Sequence, residues 1–273
     1  AINLFVRDMP RLSVDIDLTY LPTDRREVAI PAIEEGLGRM AERIRHALAA
    51  KVTRQQDSEG QFTKLAVRLS GVQVKIEVTP VLRGVVYPTT IRQVSEAVME
   101  AFGFAEVQVV SNADLYAGKI IAALDRQHPR DLFDVRELLA HEGVDDALRA
   151  AFVAYLIQHG RSFTDILNPN RKDIAQEFEH AFVGMTEESV DLRSLLDARE
   201  ELVTLMVGGM PEAHRRFLLG FKRGEPEWRL LGLEGVADLP AVQWKQKNLP
   251  KMAPAKRAAA VERLEAVLFP KTG

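Results

Sequence analysis

Apolar and polar residues alternate through the stretch RLSVDIDLTYLP at residues 11–22. In an extended strand this puts Val14, Ile16 and Leu18 on one face and Ser13, Asp15, Asp17 and Thr19 on the other. The same period of two returns in FTKLAVRLSGVQVKIEVTP, where Ser70-Gly71 is the turn of a hairpin. In its second strand Val74, Ile76 and Val78 share a face, leaving Lys75 and Glu77 opposite. Between these segments Ile33, Leu37, Met40, Ile44 and Leu48 recur at helical spacing, with Pro31 in the first turn. A helix near residues 95–102 and a short strand at 107–110 follow. Next comes a helix that Asn112 or Asp114 caps, a break at His128-Pro129, and another helix from about Arg130. From about Asp146 onward the spacing is helical almost throughout, as in Leu192, Leu195, Leu196, Leu202 and Leu205, and later Val261, Leu264, Val267 and Leu268. Strands followed by a run of helices predict an α+β fold with an N-terminal α+β domain, residues 1–145, and an all-helical C-terminal domain, residues 146–273. The boundary is expected between Gly143 and Pro169.

Composition narrows the function without naming it. The 273 residues are 47% hydrophobic, enough for one large domain or two modest ones. A net charge of -3 gives no global basic signature, so contact with nucleic acid must come from a local patch. The absence of cysteine excludes disulfides and thiolate metal sites and allows a reducing compartment. No apolar run approaches the length of a membrane span and no signal peptide is evident, which predicts a cytoplasmic protein with no membrane partner.

The first strand poses a chemical question, because Asp15 and Asp17 stand about 7 Å apart on one face. A sheltered pair of like charges needs a cation or a shared proton. If the strand bearing Glu77 lies alongside, three carboxylates gather at one site, a donor set suited to two Mg²⁺ ions serving displacement at phosphorus. The bland alternative is a solvated sheet face with scattered charges. A second cluster lies in DLYAGKIIAALDRQHPRDLFDV, where Lys119 shares a face with Leu115, Ala122, Ala123 and Arg126. After the break, Asp131 lines up with the apolar face of the next helix, and Asp134 sits one turn on. Such a Lys and Asp must pair with something, and pairing with each other braces the two helices. The pair is either a phosphate ligand with its positioning partner or a structural salt bridge.

Together, RLSVDIDL and DLYAGKIIAALDRQHPRDLFDV resemble the AbiEii/AbiGii toxin family, nucleotidyltransferase-like toxins of abortive-infection and toxin–antitoxin systems. The C-terminal GEPEWRLL and LPAVQWKQKNL extend the resemblance over most of the chain. It implies a DNA-polymerase-β-like nucleotidyltransferase core, a mixed sheet with flanking helices, followed by a helical domain. It also implies dependence on Mg²⁺ and a nucleoside triphosphate, and an RNA acceptor, with the tRNA 3′ end as the site of nucleotide addition. The implied partner is a cognate antitoxin, a winged-helix repressor acting without a stable complex. Asp15 and Asp17 match the family's metal-binding pair, Lys119 the lysine of its AGK-like helix, and Asp131 the aspartate of its RDLxD segment. Glu77 is assigned as third carboxylate by strand pattern. Ser13 and Arg130 are supporting nucleotide-binding candidates, and Arg11 is a further one. Family members carry a Gly-Gly or Gly-Ser turn shortly before the first strand, where backbone N–H groups approach the triphosphate. The sequence opens at AINLFVRDMP, about where that turn would just have ended.

Other side chains are read more plainly. The six histidines show no ligand spacing, and His128 before Pro129 is read as a structural turn residue. Lys245, Lys247, Lys251, Lys256 and Arg257 near Trp244 either hold an RNA backbone or form a solvated helix flank with Trp244 anchored in the core, and the second reading is favoured. Trp228 is expected to pack. Two other functions compete with the transferase: a catalytically silent nucleotide- or RNA-binding protein, and a glycosyltransferase using Asp-x-Asp to clamp a nucleotide sugar.

Overall fold

The alternating segments pair into one small mixed sheet, and the computed structural model describes residues 1–270. β1 (Asp15–Leu18) is followed by α1 (Arg26–Leu48), β2 (Lys51–Gln56), β3 (Phe62–Leu69) and β4 (Val72–Val78). The sheet order is β1-β4-β3-β2, with β1 parallel to β4 and the other pairs antiparallel. The expected hairpin joins β3 to β4. Ser70 at φ 50° and Gly71 at φ 82° supply the two left-handed positions of a tight turn whose twist suits the flanking strands. β2 is an element that the sequence pattern did not single out. Only Val52 of KVTRQQ is buried, so it carries no alternation to read.

α1 covers one face of this sheet, burying Ile33, Leu37 and Ala41 against Val52, Leu65, Ile76 and Val78. Pro31 was expected in the first turn. The helix begins earlier, at Arg26, so Pro31 lies in the second turn and leaves one backbone carbonyl without its helical donor. Val14 and Ile16 were expected inward and are 40% and 47% exposed, because β1 begins only at Asp15 and has a neighbour on one side only.

Beyond the sheet, β5 (Thr90–Gln93), α2 (Glu96–Phe102) and β6 (Glu106–Val109) make a separate antiparallel ribbon. The helices then follow: α3 (Asn112–Arg126), α4 (Pro129–His141), α5 (Asp146–Gln158), α6 (Phe163–Leu167), α7 (Ala175–Ala181), α8 (Leu192–Val203), α9 (Glu212–Arg223), α10 (Pro240–Asn248) and α11 (Pro254–Leu268). A continuous apolar core runs from Ile2 through α3 and α4 into the later helices, and the sheet and α1 keep a cluster of their own. Residue 145 lies in the link between α4 and α5, and the apolar core continues across it from α3 and α4 into the later helices. Trp228 packs as expected, 5.4 Å from Phe217 and edge-on to Phe221. Among the described residues, no helix is long and apolar enough to cross a membrane.

Candidate active site

α3 is held by its first turn. Ser111, rather than Asn112 or Asp114, is the cap: its hydroxyl oxygen accepts from the Asp114 amide at 3.0 Å. The Asp114 carboxylate, buried in turn, accepts from the amides of Val86 (2.7 Å) and Tyr87 (3.0 Å) and the hydroxyls of Ser111 (2.6 Å) and Tyr155 (3.1 Å). Burial, with the Asp114 charge beside it, pushes the Tyr155 phenol up, so it stays a donor at every physiological pH. Four donors on one carboxylate fasten the loop after β4 to the start of α3.

Two turns further along α3, Lys119 donates to Asp131 Oδ1 at 3.1 Å and lies 3.0 Å from Asp134 Oδ2. The expected Lys119–Asp131 brace between α3 and α4 is therefore present. Asp131 and Asp134 side chains are 3% and 1% exposed, yet each also holds an arginine. Arg126 donates twice to Asp131, at 2.6 and 3.1 Å, and Arg11 donates twice to Asp134, both at 2.7 Å. The result is an alternating row, Arg11–Asp134–Lys119–Asp131–Arg126, with three cations and two carboxylates. The surplus positive charge favours an anion beside it. Burial by itself would lower the Lys119 pKa, but Asp134 and Asp131 outweigh it and hold the ammonium above its ordinary value. Burial would likewise raise Asp131, and Lys119 and Arg126 instead hold it below the usual carboxylate range.

Asp134, Arg126 and Arg11 carry more of this row than the sequence reading gave them. Helical spacing was the available signal, since Arg126 is seven residues after Lys119 and Asp134 three after Asp131. Arg11 comes from a distant segment, which no local pattern reveals.

The acidic strand face approaches from the sheet. Asp17 pairs in register with Glu77, and Asp15 with Lys75, so Asp15, Asp17 and Glu77 share a face as expected. Asp15 and Asp17 are exposed, and no hydrogen bond or ion pair involves either carboxylate among the described residues. Glu77 is 3.1 Å from Lys64 on β3, which faces it across the next pair of strands. Among the described residues, no three His, Cys, Asp or Glu side chains converge as a ready-made metal cluster. Three carboxylates on one face are nonetheless the hard oxygen donors that magnesium takes, provided that Glu77 exchanges Lys64 for the ion. The Asp17 charge is also felt in the helical row. Arg126 is held above its ordinary value first by its hydrogen bonds to Asp131, against burial, and the charges of Asp131, Asp17 and Asp125 add to this.

The segment 1–13 joins the two parts. Ile2 is buried in the helical core, Arg7 donates to the Glu137 carbonyl at 3.0 Å, and Arg11 grips Asp134 four residues before β1 opens. Ser13 is exposed and its hydroxyl accepts from Asn3 at 2.8 Å. Arg130 is half-buried and makes no ion pair among the described residues, so it lies outside the row. His128 caps α4, its Nδ1 accepting from the Arg130 amide, and burial lowers its pKa. Trp244 was expected to be anchored in the core and is 65% exposed; its neighbour Lys245 is the sheltered side chain of the pair.

A family model described as "Nucleotidyl transferase AbiEii toxin, Type IV TA system" matches residues 1–248. Among solved structures, the chain is similar to MenT4, a nucleotidyltransferase toxin from Mycobacterium tuberculosis H37Rv, with a TM-score of 0.60 at 14% identity, covering 96% of this chain and 82% of that one. At that identity the likeness speaks for the fold. No curated protein matches the sequence.

Proposed function

The chain belongs to the AbiEii family of nucleotidyltransferase toxins of type IV toxin–antitoxin systems, and from that membership we propose that it transfers a nucleoside monophosphate from an NTP to an RNA acceptor, the tRNA 3′ end. Family membership also removes the ground for a nucleotide-sugar reading. The observation that carries the proposal is the strand register that sets Asp17 beside Glu77 on a face whose charge reaches the cationic row of α3 and α4.

Asp15, Asp17 and Glu77 would hold Mg²⁺, which when bound supplies charge neutralisation at the phosphates. Lys119 spends two of its ammonium hydrogens on Asp131 and Asp134 and keeps one for a phosphate oxygen. Its raised pKa keeps it charged, so it acts as a fixed cation and not as a base. Asp131 and Asp134 aim it, each braced from behind by an arginine. In the reaction the acceptor hydroxyl oxygen forms a bond to the α-phosphorus, the bond to the bridging oxygen breaks, and pyrophosphate leaves. Glu77, once released from Lys64, is the carboxylate proposed to take the hydroxyl proton.

Transfer would block translation and growth, and a winged-helix repressor acting without a stable complex is the antitoxin that this reading expects. The test is incubation of the purified protein with each labelled NTP, Mg²⁺ and total tRNA. Label should appear on tRNA with at least one NTP and vanish on chelation. The Lys64–Glu77 pair favours one second reading, a catalytically silent nucleotide- or RNA-binding protein. Magnesium-dependent nucleotide binding with no label on RNA would select it.

A further inference from the structure

Lys222 near the end of α9 and Lys245 in α10 stand against one aromatic ring, that of Phe163 in α6. Their ammonium nitrogens are 5.3 and 5.0 Å from its centroid. Lys245 also donates to the His159 carbonyl. Among the described residues neither lysine has a carboxylate partner, and Lys222 makes no hydrogen bond. The ring face attracts each cation weakly, whereas the two cations repel one another and both are partly stripped of water. Burial, with Lys222 nearby, lowers Lys245 to about 8; burial also lowers Lys222, with Arg263 its charged neighbour. A pair serving packing alone would be better built from neutral side chains. What the arrangement lacks is an anion.

The surroundings indicate its kind. Residues 240–263 hold Lys245, Lys247, Lys251, Lys256, Arg257 and Arg263 against a single acid, Glu262, in a chain whose net charge is -3. Trp244, one residue before Lys245, offers an exposed aromatic face. The cluster adjoins the catalytic helix, because the His159 ring is 3.6 Å from Asp125, the neighbour of Arg126. Asp125 lies six residues, about 9 Å of helix, beyond Lys119.

We propose that Lys222 and Lys245 form a phosphodiester-binding subsite for the RNA acceptor, with Trp244 beside it as a platform for a base. This rests on the RNA-acceptor reading above and adds the surface that holds the acceptor. A phosphate oxygen bridging the two ammonium groups relieves their repulsion, and stacking on an exposed indole tolerates any base.

The test is fluorescence anisotropy with fluorescein-labelled unfractionated tRNA over a range of KCl concentrations, with Mg²⁺–NTP binding measured on the same samples. Lys222→Gln and Lys245→Gln should each weaken tRNA binding roughly three- to tenfold and reduce the slope of log K against log salt by about 0.7 to 1. Lys245→Arg should largely restore both values, and Trp244→Ala should weaken binding without changing the slope. Lys51→Gln, an exposed change on β2, should leave affinity and slope as they were. Unchanged affinity and slope in both glutamine variants, with native circular dichroism, overturns the proposal. So does loss of NTP binding in place of RNA binding, which would make the pair a triphosphate site. Loss of tRNA binding at these lysines, in a protein whose unaltered form transfers no nucleotide, sinks the catalytic reading and supports this one. Full transfer by the double variant at unaltered KM for tRNA does the reverse.

Discussion

Replacing Lys119 with methionine removes the shared cation of the ionic row while keeping most of its bulk. Stranding a buried charge costs about 3–5 kcal/mol. Here neither carboxylate is stranded, since Asp131 keeps Arg126 and Asp134 keeps Arg11. The Lys119 side chain is also 21% exposed, which screens its contribution. A loss of about 2 kcal/mol is therefore expected, or roughly 4–8 °C in Tm for a chain of this size. The pH dependence has a definite sign. Asp131, held low in the folded protein, contributes stability above its unfolded pKa and loses it as pH falls through the folded value. Lys119, held high, contributes below its unfolded pKa and loses its share as pH rises through the folded value. The difference between wild type and Lys119→Met should be full between about pH 5 and 9 and shrink on both sides. The acid midpoint of the variant should move upward, because the largest influence holding Asp131 low is gone. Urea denaturation read from the two tryptophans, repeated across pH, gives both quantities, and labelled-NTP transfer is measured in parallel. Equal stability at all pH values would refute the electrostatic account. Retained transfer by the folded variant would remove Lys119 from the chemistry and leave it a brace.

Asp17→Asn should abolish transfer while changing stability by no more than about 0.5 kcal/mol, because its exposed carboxylate has no protein partner to lose; a large stability change would mean that the partner assignment is wrong. Lys245→Met should stabilise the protein: lowering its pKa from 10.5 to about 8 corresponds to about 3 kcal/mol at neutral pH, less about 1 for the hydrogen bond to His159. The folded protein binds fewer protons than the unfolded chain between those values, so its stability rises with pH there and the gain from Lys245→Met should fade by about pH 10. Destabilisation of this variant at pH 7, read by urea titration, would contradict the burial argument. Ser111→Ala should cost about 1–2 kcal/mol, since both the α3 cap and one donor to Asp114 are lost; a Tm within 1 °C or so of wild type would show the cap to be idle.

The sequence shows what repeats and hides what converges. Alternation exposed β1, β3 and β4, and Ser70-Gly71 marked the turn between the last two, so the shared face of Asp15, Asp17 and Glu77 follows from pattern once β1 and β4 are neighbours. Helical spacing placed Lys119 toward Asp131. β2 escaped because an edge strand with one buried side chain has no period. The cap of α3 was misplaced by one to three residues, since Ser, Asn and Asp in SNAD all suit the role and only the hydrogen bond decides. The Glu77–Lys64 pair and the Arg11–Asp134 grip depend on register and on long-range closure. Trp244 was misjudged because a large aromatic on a helix is buried more often than not; here the basic neighbours keep that face wet and Lys245 takes the sheltered position.

The grip of Arg11 on Asp134 pins the chain to α4 just before it enters the sheet, whose apolar cluster is separate from that of the helices. Four positions separate that guanidinium from the first strand aspartate, so this short tether, together with the loop that Asp114 fastens to α3, limits how far the strand face can stand from the helix lysine. Sliding the sheet cluster against the helices would have to pull apart both the two-pronged Arg11 contact and the amide bonds to Asp114. Adding or removing one residue in that tether should therefore disturb the alignment of strand face and lysine more than repacking within either cluster does.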